Sequence, residues 1–144
     1  MDHPKLAAIA VVLHDDAVLL VRRKNEPDAN LWGFPGGHVD FGETAKVAAA
    51  RELFEETEVI AEPLEYLTNL DIIVRDQAGA VTFHYLLVAV LCRYKSGAPC
   101  AHDDVHEAVW VDCSTVFQKT LPMSGDVDTI LQAALDRRCQ REGG

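Results

Sequence analysis

Residues 36–59 read Gly-Gly-His-Val-Asp-Phe-Gly-Glu-Thr-Ala-Lys-Val-Ala-Ala-Ala-Arg-Glu-Leu-Phe-Glu-Glu-Thr-Glu-Val, a glycine-punctuated loop followed by a run of helix formers that carries a tight acidic cluster. The loop half must reach dihedrals or close approaches that a Cβ would oppose. From Thr44 onward alanine, glutamate, leucine and arginine dominate with no proline or glycine, so a helix is predicted there. At about 100° per residue, Glu52, Glu55 and Glu56 fall within a sector of roughly 100°. Like charges at this spacing repel by about 0.2–0.5 kcal/mol per pair on an isolated helix. A hard divalent cation, which takes oxygen ligands, would relieve that repulsion. Val47, Ala50 and Phe54 lie on roughly the opposite face and are expected to supply the apolar stripe for the core. By itself, an acidic run of this kind usually marks a solvated helix face.

The spacing ahead of the cluster changes that reading. Gly37, five residues, Glu43, seven residues, then residues 51–59 (Arg-Glu-Leu-Phe-Glu-Glu-Thr-Glu-Val) resembles the Nudix box of the Nudix (MutT-like) hydrolases. Eight of the nine specified box positions match: Gly37, Glu43, Arg51, Glu52, Leu53, Glu55, Glu56 and Val59. The ninth, position 58, holds Glu where the family usually has Gly, which implies a differently shaped helix exit or mild strain. A match of this length at fixed spacing is specific. The resemblance extends to residues 31–37 (Leu-Trp-Gly-Phe-Pro-Gly-Gly) and, through strand patterns on both sides, to most of the chain.

The 144 residues suit one domain with a single core, residues 1–144. No apolar run is long enough to span a bilayer. The N-terminal residues lack a basic region followed by an uninterrupted apolar core and cleavage site, so no signal peptide is expected and the expected location is cytoplasmic. Cys92, Cys100, Cys113 and Cys139 show no Cys-x-x-Cys spacing and are read as free thiols. A formal charge of −10 opposes binding to a nucleic-acid backbone. It does not oppose a phosphate-bearing small molecule, because bridging metal ions invert the local electrostatics of an acidic site.

Along the chain, residues 6–13 and 17–21 are apolar segments joined by His14-Asp15-Asp16 and read as a β-hairpin. Arg22, Arg23 and Lys24 end it. They form either a solvated strand end or, through alternation, an arrangement that sends one arginine toward a phosphate or base. Residues 25–30 read as a loop and 32–34 as a short strand. Trp32 could stack on a base, although a single aromatic more often packs in a core. His38 is not assigned as a ligand. Residues 59–67 and 71–74 read as two strand segments, with a turn at 76–79 and a long strand over 81–91. The second half of that strand, 86–91, is apolar throughout and is expected to be buried on both faces. Residues 94–99 read as a loop. His102 and His106 are four apart, but the strand pattern that follows argues against a helical metal pair, so they read as surface or hydrogen-bonded histidines. Val127, Ile130, Leu131, Ala134 and Leu135 repeat at helical spacing, and the tail from Arg137 onward is expected to fray.

Strands on both sides of a central helix, plus a C-terminal helix, suggest an α/β/α sandwich around a mixed β-sheet, which the Nudix resemblance also implies. The resemblance further implies Mg²⁺-dependent hydrolysis of a nucleoside diphosphate linked to another moiety, such as a nucleoside triphosphate or a nucleotide sugar like ADP-ribose, with Mn²⁺ as a substitute ion. It matches Glu52, Glu55, Glu56 and the Gly37 carbonyl to metal ligands, and Glu43 and Arg51 to an architectural pair. For the general base Glu52 is preferred. Residues 107–111 (Glu-Ala-Val-Trp-Val) resemble a C-terminal stretch of many Nudix domains, which places Glu107 second, with Asp104 as its competitor. Arg23 and Trp32 are candidate substrate contacts. Many relatives are homodimers. A nucleotide-binding Nudix domain without catalysis is the alternative, and an isoprenyl diphosphate isomerase ranks last.

Overall fold

The computed structural model describes residues 2–102 and 104–143. Seven strands and three helices follow in the order β1 (Lys5–His14), β2 (Ala17–Arg23), β3 (Trp32–Gly33), β4 (Gly36–His38), α1 (Ala45–Thr57), β5 (Ile60–Arg75), β6 (Val81–Ser96), β7 (Val105–Asp112), α2 (Cys113–Gln118) and α3 (Val127–Gly143). They build an α/β/α sandwich around a mixed sheet. The strand order is β3-β2-β1-β6-β5, with β4 added to β1 and β7 added to β2. Among the pairings of these strands, β1–β6 is parallel and the others are antiparallel.

Strand alternation divides the core. Val11 and Leu13 of β1 face one way, with Val18, Leu20, Ala89 and Leu91, onto Ile130, Leu131 and Ala134 of α3. Ala8, Ala10 and Val12 face the other way, onto Ala48, Ala49 and Leu53 of α1. Alanines on both sides of this second contact let α1 approach the sheet closely.

The sheet forks. β1 and β2 pair only beside their turn, Leu13 with Val18 and His14 with Ala17. Beyond it β1 takes β4 as its neighbour, Ala7 to Ile9 against His38 to Gly36, while β2 takes β3 and β7. The gap between the diverging strands opens the cleft described below.

Several expectations need correction. The expected apolar stripe of α1 is outside: Val47 and Phe54 are 53% and 50% exposed, and Ala50 is only partly covered. The face turned inward is Ala48, Ala49 and Leu53, with Glu56 and Thr57 buried beside them. Pattern alone favours the bulkier stripe, but the alanine pair is what allows close packing, and the acids come inward with it. The two segments expected over 59–74 are one strand, β5, which absorbs its irregularities as register shifts. Two of these shifts leave Leu64 and Leu67 without a ladder partner, and both pack against the α3-side core. β6 is buried only at Ala89, Val90, Leu91 and Cys92, while Leu86 is 37% exposed because the far half of the β5–β6 ribbon runs past the helices. The same strand continues to Ser96 through the expected loop. The C-terminal tail is helical to Gly143, held by Arg137 and Arg141, both of which donate to Glu65.

α1 begins at the Thr44 N-cap, whose Oγ1 accepts from Val47 N at 3.1 Å. It ends at Glu58, in the left-handed region (φ 63°, ψ 5°), with its N–H donating to Phe54 O at 2.9 Å. The box glycine is therefore replaced while its conformation is kept, which costs roughly 1–2 kcal/mol for a residue with a Cβ. The four cysteines are unpaired.

The inverted helix face is testable by urea denaturation. Leu53→Ala, at a fully buried position, is expected to lose about 2–5 kcal/mol, and Val47→Ala to stay within about 0.5 kcal/mol of the parent. Equal losses would contradict the packing described.

Candidate active site

The box strand and box helix meet through glycines on one side and glutamates on the other. Gly36 N donates to Glu56 Oε1 at 2.9 Å. At Gly37 a Cβ would lie 2.5 Å from the Glu52 carboxylate, so the carboxylate occupies the space a side chain would need. Gly36 is equally constrained from the other side, since its Cβ would fall 2.2 Å from Ala8 O on β1. Both glycines are close-approach residues between the sheet and α1.

Arg51 gathers the acids. Its Nε and Nη2 donate to the two Glu43 oxygens at 2.7 and 2.9 Å, a bidentate pair. Nη1 donates to Glu52 Oε1 at 2.9 Å and Glu55 Oε2 at 3.2 Å, and Nη2 also reaches His38 O at 3.0 Å. Asp40 Oδ2 lies 3.5 Å from Nη2, and Asp40 N donates to Glu43 Oε1 at 3.0 Å. One guanidinium thus ties the loop at residues 38–43 to the helix. Arg51 holds the Glu43 carboxyl down at about 2, chiefly by hydrogen bonding, and the same bonds raise the Arg51 value.

The carboxylates nearest the sheet behave oppositely. Glu56 is 7% exposed, and burial pushes its carboxyl up to about 8, opposed by the Gly36 N–H and reinforced by the charge of Glu52. Burial also raises Glu52, against the pull of Arg51. Two acidic groups of one helix, one buried and one partly buried, both with raised values, offer the oxygen ligands that a hard divalent cation takes. Glu55, the third glutamate of the helix cluster, is half exposed, bonded to Arg51 and not among the residues that line the cleft with Glu52, Glu56 and Gly37.

The fork of the sheet makes a cleft of about 370 Å³ over this set. That volume is within the usual range for small-molecule sites, about 300–1,000 Å³. Glu52, Glu56 and Gly37 line it, as does Arg23, whose Nε is held by Pro27 O at 2.9 Å. Ile9, Leu70, Ile72 and Leu87 give an apolar wall, and Tyr85 stands at its edge with its ring stacked on His38 at 5.9 Å. Asp104 lines the cleft and accepts from Asn25 Nδ2 at 3.1 Å.

Glu43, Arg51 and Glu55 stand beside the cleft-lining acids without lining the cleft themselves, and Glu107 and Trp32 also lie outside its lining. Glu107 stands opposite Arg22 in the β2–β7 ladder and accepts from Arg22 Nε at 3.3 Å, away from the cleft-lining residues. Trp32 pairs with Arg22 across β2–β3 and packs against the α3-side core with Leu121 and Met123, also away from the cleft. Strand alternation is the cause in both cases: Arg23 and Arg22 point to different sides, and the partners of Arg22 follow it. Tyr85 and the segment containing Ser124 and Asp126 also line the cleft and were not singled out from sequence. The Ser124 segment is brought there by backbone pairing of Trp32 N with Pro122 O and Ser124 N with Trp32 O, which leaves no local pattern to read.

Residues 3–133 match the NUDIX domain, and the chain belongs to the Nudix hydrolase family. It is 32% identical over 114 residues to an ADP-ribose pyrophosphatase of Methanocaldococcus jannaschii, an alignment covering 79% of this chain and 65% of that protein. With the phosphatase NudJ of Escherichia coli it shares 30% identity over 112 residues, 76% of this chain and 70% of the relative. The chain therefore spans about two thirds of the length of these relatives. Among solved structures, a MutT NUDIX hydrolase from Burkholderia pseudomallei superposes with a TM-score of 0.78 at 27% identity, over 92% of this chain and 98% of that one. The NUDIX domain of Shewanella oneidensis NrtR complexed with ADP ribose superposes at 0.75 and 28%, over 95% and 90%.

The raised Glu56 carboxyl has a signed consequence for the metal-free protein. Between its ordinary value near 4.5 and about 8, the folded state binds more protons than the unfolded state, so stability falls as pH rises through that window. Denaturation midpoints in a chelating buffer are expected to drop from pH 5 to pH 9, and Glu56→Gln is expected to flatten the drop. A midpoint that rises over this range in the parent would contradict the burial of Glu56.

Proposed function

We propose that the chain is a divalent-cation-dependent pyrophosphatase that cleaves a nucleoside diphosphate linked to another moiety, with ADP-ribose as the substrate to try first and nucleoside triphosphates next. The observation that carries this reading is the joint placement of Glu52, Glu56 and Gly37 on the floor of one cleft with Arg23 on its wall. The ADP-ribose named for the Methanocaldococcus relative and for the NrtR domain supports the choice of first substrate.

In this reading Glu52, Glu55, Glu56 and the Gly37 carbonyl hold Mg²⁺, or Mn²⁺ in its place. When bound, the cation neutralises pyrophosphate charge and lowers the pKa of a coordinated water. The remaining work falls to side chains. Arg23 binds a phosphate oxygen, its guanidinium oriented by Pro27 O. Tyr85, backed by His38, offers a stacking surface for the base. Glu52, whose carboxyl burial raises against the pull of Arg51, accepts the proton of the attacking water. The water oxygen forms the new P–O bond as the P–O–P bridge breaks, and ADP-ribose yields AMP and ribose 5-phosphate. Arg51 and Glu43 keep Glu52 and Glu55 in position without touching substrate. Asp104, which lines the cleft, replaces Glu107 as the second candidate for the base.

The non-catalytic alternative has less support, since a domain that only senses a nucleotide has no need of an intact Glu52, Glu55 and Glu56 set. With a charge of −10, the proposed partners are small nucleotides rather than nucleic-acid polymers. No helix among the described residues is long and apolar enough to cross a membrane. A cytoplasmic location and a homodimer complete the proposal.

The test is hydrolysis of ADP-ribose and of nucleoside triphosphates with saturating Mg²⁺, products separated by chromatography. Glu56→Gln is expected to lower kcat by roughly 100-fold or more while keeping the fold, because it removes a ligand charge at nearly constant shape. Near-parental turnover by Glu56→Gln would refute the ligand assignment, and tight binding without cleavage by the parent would favour the sensor. Asp104→Asn is expected to lower kcat more than Glu107→Gln does. The reverse order would return the second place to Glu107.

A further inference from the structure

Where α1 ends, a second set of ligand atoms comes together outside the cleft lining. Glu58 carries a carboxylate at the one box position where glycine is replaced, in a left-handed conformation that disfavours side chains. Its carboxylate meets His102 Nε2 directly, and Cys100 stands beside both. One carboxylate oxygen, one Sγ and one imidazole nitrogen lie within 4.8 Å of one another, and all three residues are exposed.

The backbone holds these residues in place independently of any ion. Cys100 N donates to Thr57 O at 2.9 Å, and His102 N donates to Glu56 O at 2.9 Å, so residues 100–102 are laid on the last carbonyls of α1. Gly97, at φ 99°, allows that segment to press against Glu58, for a Cβ there would lie 2.6 Å from Glu58 O. Tyr94 Oη fixes the same turn by donating to Gly97 O at 2.8 Å. The cluster is thus anchored to both chain segments that supply it, as a binding site must be.

We propose that Glu58, Cys100 and His102 form a second metal site, separate from the catalytic carboxylates, that takes a zinc-class divalent cation with water as its fourth ligand. Ligand chemistry makes the distinction. Thiolate and imidazole suit a borderline-soft ion, whereas the all-oxygen set around Glu52 and Glu56 suits Mg²⁺. In a tetrahedral zinc site, ligand atoms stand roughly 3.4–3.8 Å apart. The three ligand atoms already lie within 4.8 Å of one another, and the ion would take its place between Glu58 and His102. On binding, the Cys100 thiol gives its proton to solvent and the sulfur forms the metal bond. The ion would clamp residues 100–102 to the end of α1, next to the backbone of Glu56 and two residues before Asp104 of the cleft.

The site is tested with Zn²⁺ itself, titrated into reduced, intact protein against a chromophoric zinc chelator in excess Mg²⁺. One ion per chain is expected in the parent, unchanged in Cys139→Ser and in Glu56→Gln. Cys100→Ser and His102→Ala should each weaken binding by at least about 100-fold, since even outer-shell partners of a metal are worth about 10–100-fold. Co²⁺ bound to the parent should show a thiolate-to-cobalt charge-transfer band that Cys100→Ser lacks, a readout independent of activity. Zinc affinity equal to the parent's in Cys100→Ser and His102→Ala, loss of the ion in Glu56→Gln, or a cobalt spectrum with no thiolate band would each overturn the proposal. So would a parent that fails to compete with the chelator, which would reduce the cluster to a hydrogen-bonded helix cap.

Discussion

The structure depends on a single guanidinium. Arg51 donates to Glu43, Glu52, Glu55 and the His38 carbonyl and lies beside Asp40, so four carboxylates share one fixed cation. Without it, the loop at residues 38–43 would lose its tie to α1, and the acids of the helix would repel one another in a partly desolvated setting. Its compensation is incomplete, which matters for function. Glu43 is fully served by the fork, while Glu56 is left to one backbone N–H at Gly36. Burial therefore leaves a carboxyl near the sheet with its value raised, a cost that the proposed cation would offset.

The rest of the fold brings that buried carboxyl to the edge of the cleft. The alanines shared by β1 and α1 draw the helix onto the sheet, and Gly36 and Gly37 let β4 fit between them. The divergence of β1 from β2 opens a cleft over the same residues and turns Arg23 into it. Carboxylates and the Arg23 guanidinium then line one space, the combination that the proposed cleavage of a pyrophosphate needs.

What the sequence made legible was spacing. The positions from Gly37 to Val59 announced the loop, the helix and its acids, because close approach and charge pairing demand particular residues at particular intervals. Orientation was harder. On a helical wheel Val47 and Phe54 look like the core face, yet Ala48 and Ala49 are inside, since apolar periodicity does not record how near the helix must come to its sheet. The break expected between residues 67 and 71 is absent, and β5 passes through as one strand with its bulges feeding Leu64 and Leu67 into the core. Contacts made across the fold, such as Arg22 with Glu107 or Ser124 with Trp32, leave no mark at short range, and they decide which candidates line the cleft.

If a divalent cation completes the inward acidic face, Mg²⁺ binding must displace the Glu56 proton, and the number of protons released can be counted. Calorimetric titrations at pH 7 in buffers of different ionisation enthalpy give that count. With the Glu56 carboxyl at about 8, close to one proton per ion should leave at pH 7, falling toward none above about pH 9 and absent in Glu56→Gln. Mg²⁺ binding with no proton release at pH 7, or release that persists in Glu56→Gln, would contradict the account.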